Sequence, residues 1–126
     1  MNYGFIKVAS AVPSVKVADC KYNVEQIEQQ IILAEGQGVE IIVFPELSLT
    51  GYTCQDLFRQ NLLLETTESA MLMLLDFTRQ LNTISIVGLP IAVGDLLLNC
   101  AAIIQKGQIL GIVAKEYLPN YNEFYE

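Results

Sequence analysis

Histidine is absent from the chain. A Ser-His-Asp triad, a Cys-His dyad and an HExxH metal site are therefore impossible within it. Any chemistry must run on carboxylate, lysine, tyrosine or thiol. Basic residues are scarce as well: seven Lys and Arg stand against fourteen Asp and Glu, for a net charge of −7. With no basic stripe or cluster, the chain is poorly suited to nucleic acid or to an anionic membrane, and neither is expected as a partner. The three cysteines, Cys20, Cys54 and Cys100, are odd in number, widely spaced and without a CxxC pair. Neither a zinc site nor a disulfide framework is indicated, and reduced thiols in a cytosolic setting are expected. Long apolar runs are missing too. Ile41–Phe44 and Ile84–Pro90 are far too short to span a bilayer, and the first residues lack the basic-then-apolar order of a signal peptide. A cytoplasmic protein is expected.

What the chain does have is apolar content, 52% of its 126 residues. That fraction excludes a disordered chain and suits buried strands covered by helices. It also leaves room for apolar surface that packs against something outside these residues. The length is that of one domain, and there are no repeats, linkers or low-complexity segments.

Phe5–Val12 reads as a buried strand ended by Pro13. Asn23 is the candidate N-cap of a helix in which Val24, Ile27, Ile31 and Ala34 recur at helical spacing, with Glu25 and Glu28 in its first turns and Gly36 and Gly38 ending it. Val39–Phe44 is a β-branched run of strand length closed by Pro45. A loop follows from Glu46 to about Asp56. A second helix is expected over Glu65–Leu81, with Ala70, Leu74, Phe77 and Leu81 on one face. Thr83–Leu89 is a further buried strand. Gly94-Asp95 turns into Leu96–Gln105, and Lys106-Gly107 makes a tight turn to Gln108–Ala114, giving a hairpin. The order β-α-β-α-β-β-β predicts an α/β layered fold whose later strands are antiparallel.

Two residues stand where chemistry gathers. Glu46 directly follows a buried strand, and ligand sites in open α/β sheets collect at the carboxyl ends of strands. Its apolar neighbours would desolvate it towards a general base's working range. On position alone, a surface or capping glutamate is the more frequent outcome. Lys115 holds a comparable place at the end of Gln108–Ala114, where it could stabilise an oxyanion; the plain alternative is a solvated lysine. Tyr52, Tyr121 and Phe124 could line a small pocket or simply pack. Glu123 and Glu126 could receive a substrate ammonium or form an acidic surface turn. Cys54 is read as a partly buried structural thiol and Cys100 as a strand-core residue.

The stretch Phe44-Pro45-Glu46-Leu47-Ser48-Leu49-Thr50-Gly51-Tyr52 resembles the glutamate motif of the nitrilase, or carbon-nitrogen hydrolase, superfamily. Lys115-Glu116-Tyr117-Leu118-Pro119-Asn120-Tyr121-Asn122-Glu123-Phe124-Tyr125-Glu126 is similar to its lysine motif. Together with Asp56-Leu57-Phe58, they resemble the glutaminase domain of glutamine-dependent NAD+ synthetases, over residues 1–126. The resemblance implies the first half of an α-β-β-α sandwich and a Glu-Lys-Cys triad. Glu46 would be the general base and Lys115 the oxyanion stabiliser. Tyr52 and Tyr121 would shape a glutamine pocket, with Phe124 and Glu126 as weaker members of it. The family's nucleophilic cysteine lies beyond the lysine motif, and none of Cys20, Cys54 or Cys100 matches it. The 126 residues alone are therefore expected to be inactive. A synthetase domain using ATP and Mg2+ is expected as partner outside this segment, and a homo-oligomer is expected. A stand-alone amidase of the superfamily and a non-catalytic association half-domain are the alternatives.

Overall fold

A computed structural model describes residues 4–51, 57–94 and 96–117, with the backbone alone for 57–63 and 116–117. Five strands form one sheet in sequence order: β1 (Val8–Ser10), β2 (Ile41–Val43), β3 (Ile84–Val93), β4 (Leu96–Gln105) and β5 (Gln108–Tyr117). The β1–β2 and β2–β3 pairs are parallel, and β3–β4 and β4–β5 are antiparallel. Helices α1 (Cys20–Gly36) and α2 (Leu57–Phe77) make the two crossovers, and a short 3-10 turn (Thr78–Gln80) follows α2. The fold is the expected α/β arrangement with a late antiparallel hairpin.

Both helices pack on one face of the sheet. Val24, Ile27, Ile31 and Ala34 of α1 and Ala70, Met71 and Leu74 of α2 meet Ile42, Val87, Leu89, Ala102 and Ile104, all buried. Each large side chain fully buried there, such as Ile27, Leu74 or Ile104, contributes about 1.5–3 kcal/mol. Residues directly opposite across a strand pair share a face. The other face is therefore traced through Val43–Ile86, Ile86–Ile103, Gly88–Ala101 and Ala101–Val113. No described helix lies over it, and Val43 and Val113 are exposed. Part of the high apolar content thus sits on an uncovered sheet face. No described helix is long and apolar enough to cross a membrane.

Several boundaries differ from expectation. The N-cap of α1 is Asp19, whose side chain accepts from the Tyr22 amide at 3.0 Å, so the helix starts before Asn23. Asn23 is instead a fully buried tie. Its Nδ2 donates to the carbonyls of Lys16 (2.8 Å) and Leu49 (3.0 Å), and its Oδ1 accepts from the Lys16 amide (2.8 Å). The earlier start moves Glu25 and Glu28 out of the first turn. Helix α2 begins at Leu57 rather than near Glu65. The expected buried strand Phe5–Val12 shortens to Val8–Ser10 and is largely exposed, because it forms the sheet edge. β2 is likewise shorter than Val39–Phe44, whereas β3 continues through Pro90 to Val93. β5 runs past Ala114 to Tyr117, so Lys115 lies within the strand and not at its end. The Lys106-Gly107 turn has φ of 52° and 79°, the two left-handed residues a tight hairpin turn requires. One exposed clasp closes the helix side. The Glu35 carboxylate accepts from the Asn82 amide and from the Thr83 amide and hydroxyl. Partial desolvation works to raise its pKa, but those hydrogen bonds, with Lys106 nearby, outweigh it and hold it below the usual carboxylate value.

Candidate active site

The segment after β2 is folded back on itself. Ser48 N–H donates to the Pro45 carbonyl (3.2 Å), and the amides of Thr50 (3.2 Å) and Gly51 (2.7 Å) both donate to Leu47. These turns need left-handed backbone at Leu47 (φ 53°) and at Gly51 (φ 69°). The first is costly for a leucine, on the order of 1 kcal/mol. Burial of the Leu47 and Leu49 side chains holds it there.

Four hydrogen bonds anchor this loop. The Leu49 amide donates to the Gly88 carbonyl at 3.0 Å, and the Gly88 amide donates to Ser48 Oγ at 3.2 Å. Asn23 holds the Leu49 carbonyl from the helix side, and the Ala18 amide donates to the Thr50 carbonyl at 2.7 Å. Gly88 is the point of closest approach. A Cβ there would stand 2.4 Å from the Leu47 nitrogen and 2.8 Å from the Pro45 oxygen. Only glycine lets the loop lie on β3 in this way.

The result is a carboxylate displayed over the uncovered face. Lys115 Nζ lies 3.2 Å from both Glu46 oxygens. The β4–β5 register steps by one residue at Lys115, with Ala114 opposite Cys100 and Glu116 opposite Asn99. Such bulges re-aim side chains at sites of function. Asn99, buried in β4, donates from Nδ2 to Glu46 Oε2. The three polar groups rim a cavity of about 310 Å³ floored by Val43, Ile86, Gly88, Ala101 and Val113.

Glu46 is less desolvated than its sequence neighbours suggested. Its side chain is 40% exposed and that of Lys115 61%, because Leu47 turns into the interior and leaves the carboxylate facing the cavity. A pair this exposed contributes at most about 1 kcal/mol to stability. Holding the fold together does not account for it. A carboxylate and an ammonium in contact over an apolar hollow can take up a proton and stabilise a developing negative charge.

Of the two described cysteines, Cys100 is among the residues lining the cavity and Cys20 is not. Cys100 is buried in β4, as expected, opposite Leu89 and therefore on the helix-covered face; burial pushes its thiol pKa up. Cys20 is buried at the start of α1, with Sγ 3.6 Å from the hydroxyls of Thr66 and Thr67. Cys54, Tyr52, Tyr121, Glu123, Phe124 and Glu126 lie outside the described residues. Among the described residues, no group of three or more His, Cys, Asp or Glu could hold a metal ion. Of the site residues read from the sequence, the structure brings Glu46 and Lys115 together. Asn99, Ser48 and Gly88 were missed. The available signal for Asn99 was a lone amide in the otherwise apolar run Leu96–Ile104.

Comparison with known proteins bears on family and fold. The sequence profile of the carbon-nitrogen hydrolases matches residues 7–126. The glutamine-dependent NAD(+) synthetase of Mycobacterium tuberculosis (strain ATCC 25618 / H37Rv) is 35% identical over 125 residues, covering 99% of this chain and 18% of that protein. The Aquifex aeolicus enzyme of the same name is 41% identical over 110 residues, covering 87% of this chain and 19% of its own. The chain thus spans about a fifth of the length of these curated relatives. Among solved structures, a glutamine-dependent NAD(+) synthetase from Cytophaga hutchinsonii superposes with a TM-score of 0.79 at 30% identity, covering 91% of this chain and 20% of that one. An amidase of the nitrilase superfamily from Nesterenkonia superposes with a TM-score of 0.72 over 87% of this chain and 42% of its own; at 19% identity it shares the fold.

Proposed function

The chain belongs to the carbon-nitrogen hydrolase family, and from that premise we propose that Glu46 and Lys115 are the base and the oxyanion-stabilising cation of a glutamine amidase that supplies ammonia for NAD+ synthesis. The nucleophile in this reading is a cysteine of the full-length protein outside these 126 residues. Glu46 takes the thiol proton as sulfur attacks the side-chain amide carbon of glutamine. Lys115 holds the oxyanion of the tetrahedral intermediate. Glu46 returns the proton to nitrogen, the C–N bond breaks, ammonia leaves and a thioester remains. Glu46 then deprotonates water, which adds to the thioester carbon. The C–S bond then breaks, Glu46 returns its proton to sulfur, and glutamate and the free thiol are released. The released ammonia is consumed in a synthetase portion outside this segment, where ATP with Mg2+ would activate the carboxylate of nicotinic acid adenine dinucleotide. No step at Glu46 uses those cofactors.

The observation that carries this reading is the Lys115–Glu46 contact, 3.2 Å to each carboxylate oxygen, over an apolar cavity at the carboxyl end of β2. Support for glutamine in particular comes from similarity to NAD(+) synthetases along 99% of the chain. The uncovered sheet face is where the remainder of the amidase domain would pack.

The test is substrate preference. The full-length protein is expected to release ammonia from glutamine with a kcat/KM about 100-fold or more above that for acetamide or propionamide. A preference for the small aliphatic amides would identify a stand-alone amidase instead. No release from any amide, in a folded protein, would leave the association half-domain.

A further inference from the structure

We infer that Asn99 is a positioning residue for the Glu46 carboxylate, fixing which of its two oxygens takes up protons. The inference rests on the amidase reading above and concerns a group that reading does not use. Asn99 is buried in β4 at 4% exposure, in the run Leu96-Leu97-Leu98-Asn99-Cys100-Ala101-Ala102-Ile103-Ile104. A buried amide costs free energy unless it is hydrogen-bonded. An apolar residue of similar size would serve the packing of this strand as well. The one side-chain bond found for this amide runs to Glu46, 53 residues away in the chain.

The direction of that bond is set by chemistry. An ionised carboxylate only accepts, so the amide nitrogen and not its oxygen must face it. A donor to a charged acceptor makes a strong bond. Lys115 does not tell the two oxygens apart, because its ammonium is equidistant from them, at 3.2 Å each. Asn99 breaks that symmetry. Oε2 receives both donors, whereas among the described residues Oε1 receives Lys115 alone. A proton placed on Oε2 would displace the Asn99 hydrogen bond and strand a buried donor. Oε1, the oxygen turned away from Asn99, is therefore the one that accepts the thiol proton and later the proton from water. A carboxylate free to rotate would divide its time between productive and unproductive presentations.

The test uses Asn99→Ala and Asn99→Asp in the full-length protein, with Glu46→Gln as reference. Asn99→Ala is expected to lower glutamine-driven kcat about 10- to 100-fold, by analogy with the loss of a hydrogen-bond partner that orients a metal ligand. KM for glutamine should change by less than about two-fold, and ammonia-driven turnover should be retained. Aspartate keeps the shape of asparagine but presents a second acceptor, so Asn99→Asp is expected to be the worse of the two. A purely packing role lowers stability and reduces glutamine- and ammonia-driven turnover alike. That equal loss overturns the inference, as does a wild-type kcat in Asn99→Ala. If Glu46→Gln itself keeps glutamine-driven turnover, the amidase reading fails instead.

Discussion

Replacing Glu46 with glutamine is expected to reduce glutamine-driven turnover of the full-length protein by about 10³-fold or more, while synthesis from free ammonia stays within about two-fold of wild type. The magnitude follows from the role proposed for the carboxylate. Positioned general-base catalysis contributes about 10² to 10⁴-fold, and the proposed cycle uses Glu46 twice, on the thiol and on water. The amide of glutamine occupies the same volume and can still meet Lys115 through its oxygen, but it takes no proton. Lys115→Ala should cost about 10² to 10³-fold through loss of oxyanion stabilisation. The double variant should lose little more than the worse single one, because the two groups act as a unit. Neither change should unfold the protein, since the ion pair is largely exposed and contributes at most about 1 kcal/mol. Parallel assays with glutamine and with ammonium salt check the split. Equal losses in both assays would place the pair outside amide hydrolysis.

The second large effect is expected at a residue with no functional atoms. Gly88→Ala puts a methyl group 2.4 Å from the Leu47 nitrogen and 2.8 Å from the Pro45 oxygen, both backbone atoms that cannot swing aside as a side-chain tip would. The loop must lift by about 1 Å to reach van der Waals contact. Doing so strains or breaks the Leu49–Gly88 and Gly88–Ser48 hydrogen bonds that hold it. The cost is expected at about 3 kcal/mol, the upper end for overpacking. Displacement of Glu46 by that distance should lower glutamine-driven kcat about 100-fold. Gly111→Ala is the matched control in the same sheet. Nothing lies within 4 Å of its added carbon, so stability should change by no more than about 0.5 kcal/mol. Urea denaturation and the glutamine assay on both variants read these outcomes. A Gly88→Ala protein with wild-type stability and activity would show that the loop does not depend on its close approach to β3.

Both site residues that the structure describes could be found in the sequence because their signals are local. Glu46 follows a β-branched run and a proline. Lys115 follows the apolar run Ile109–Ala114, and each sits in a motif that can be recognised by itself. The helix faces through Val24, Ile27, Ile31 and Ala34 and through Ala70 and Leu74 were legible for the same reason: periodicity is written within the helix. What failed depended on distant partners. Asn23 reads as an N-cap until the carbonyls of Lys16 and Leu49 are placed beside it. β1 reads as a buried strand because its composition is apolar, and nothing local reveals that it forms the sheet edge. The start of α2 was hidden because Leu57-Phe58-Arg59-Gln60-Asn61-Leu62-Leu63-Leu64 clusters its apolar residues and shows no clear stripe. Gly88 was invisible as a candidate site residue, and Asn99 showed only as a lone amide in an apolar run. Their roles exist only where β3 and β4 meet a loop some forty to fifty residues earlier in the chain.

The central claim is that these residues hold the base and cation of an amidase, and that its nucleophile is none of Cys20, Cys54 and Cys100. It is tested most directly by labelling the full-length protein with a glutamine analogue carrying an electrophilic carbon in place of the side-chain amide, then mapping the adduct by mass spectrometry. The account predicts a single cysteine adduct outside residues 1–126, greatly slowed in Glu46→Gln and blocked by excess glutamine. A glutamine-protectable adduct on Cys20, Cys54 or Cys100 would contradict it.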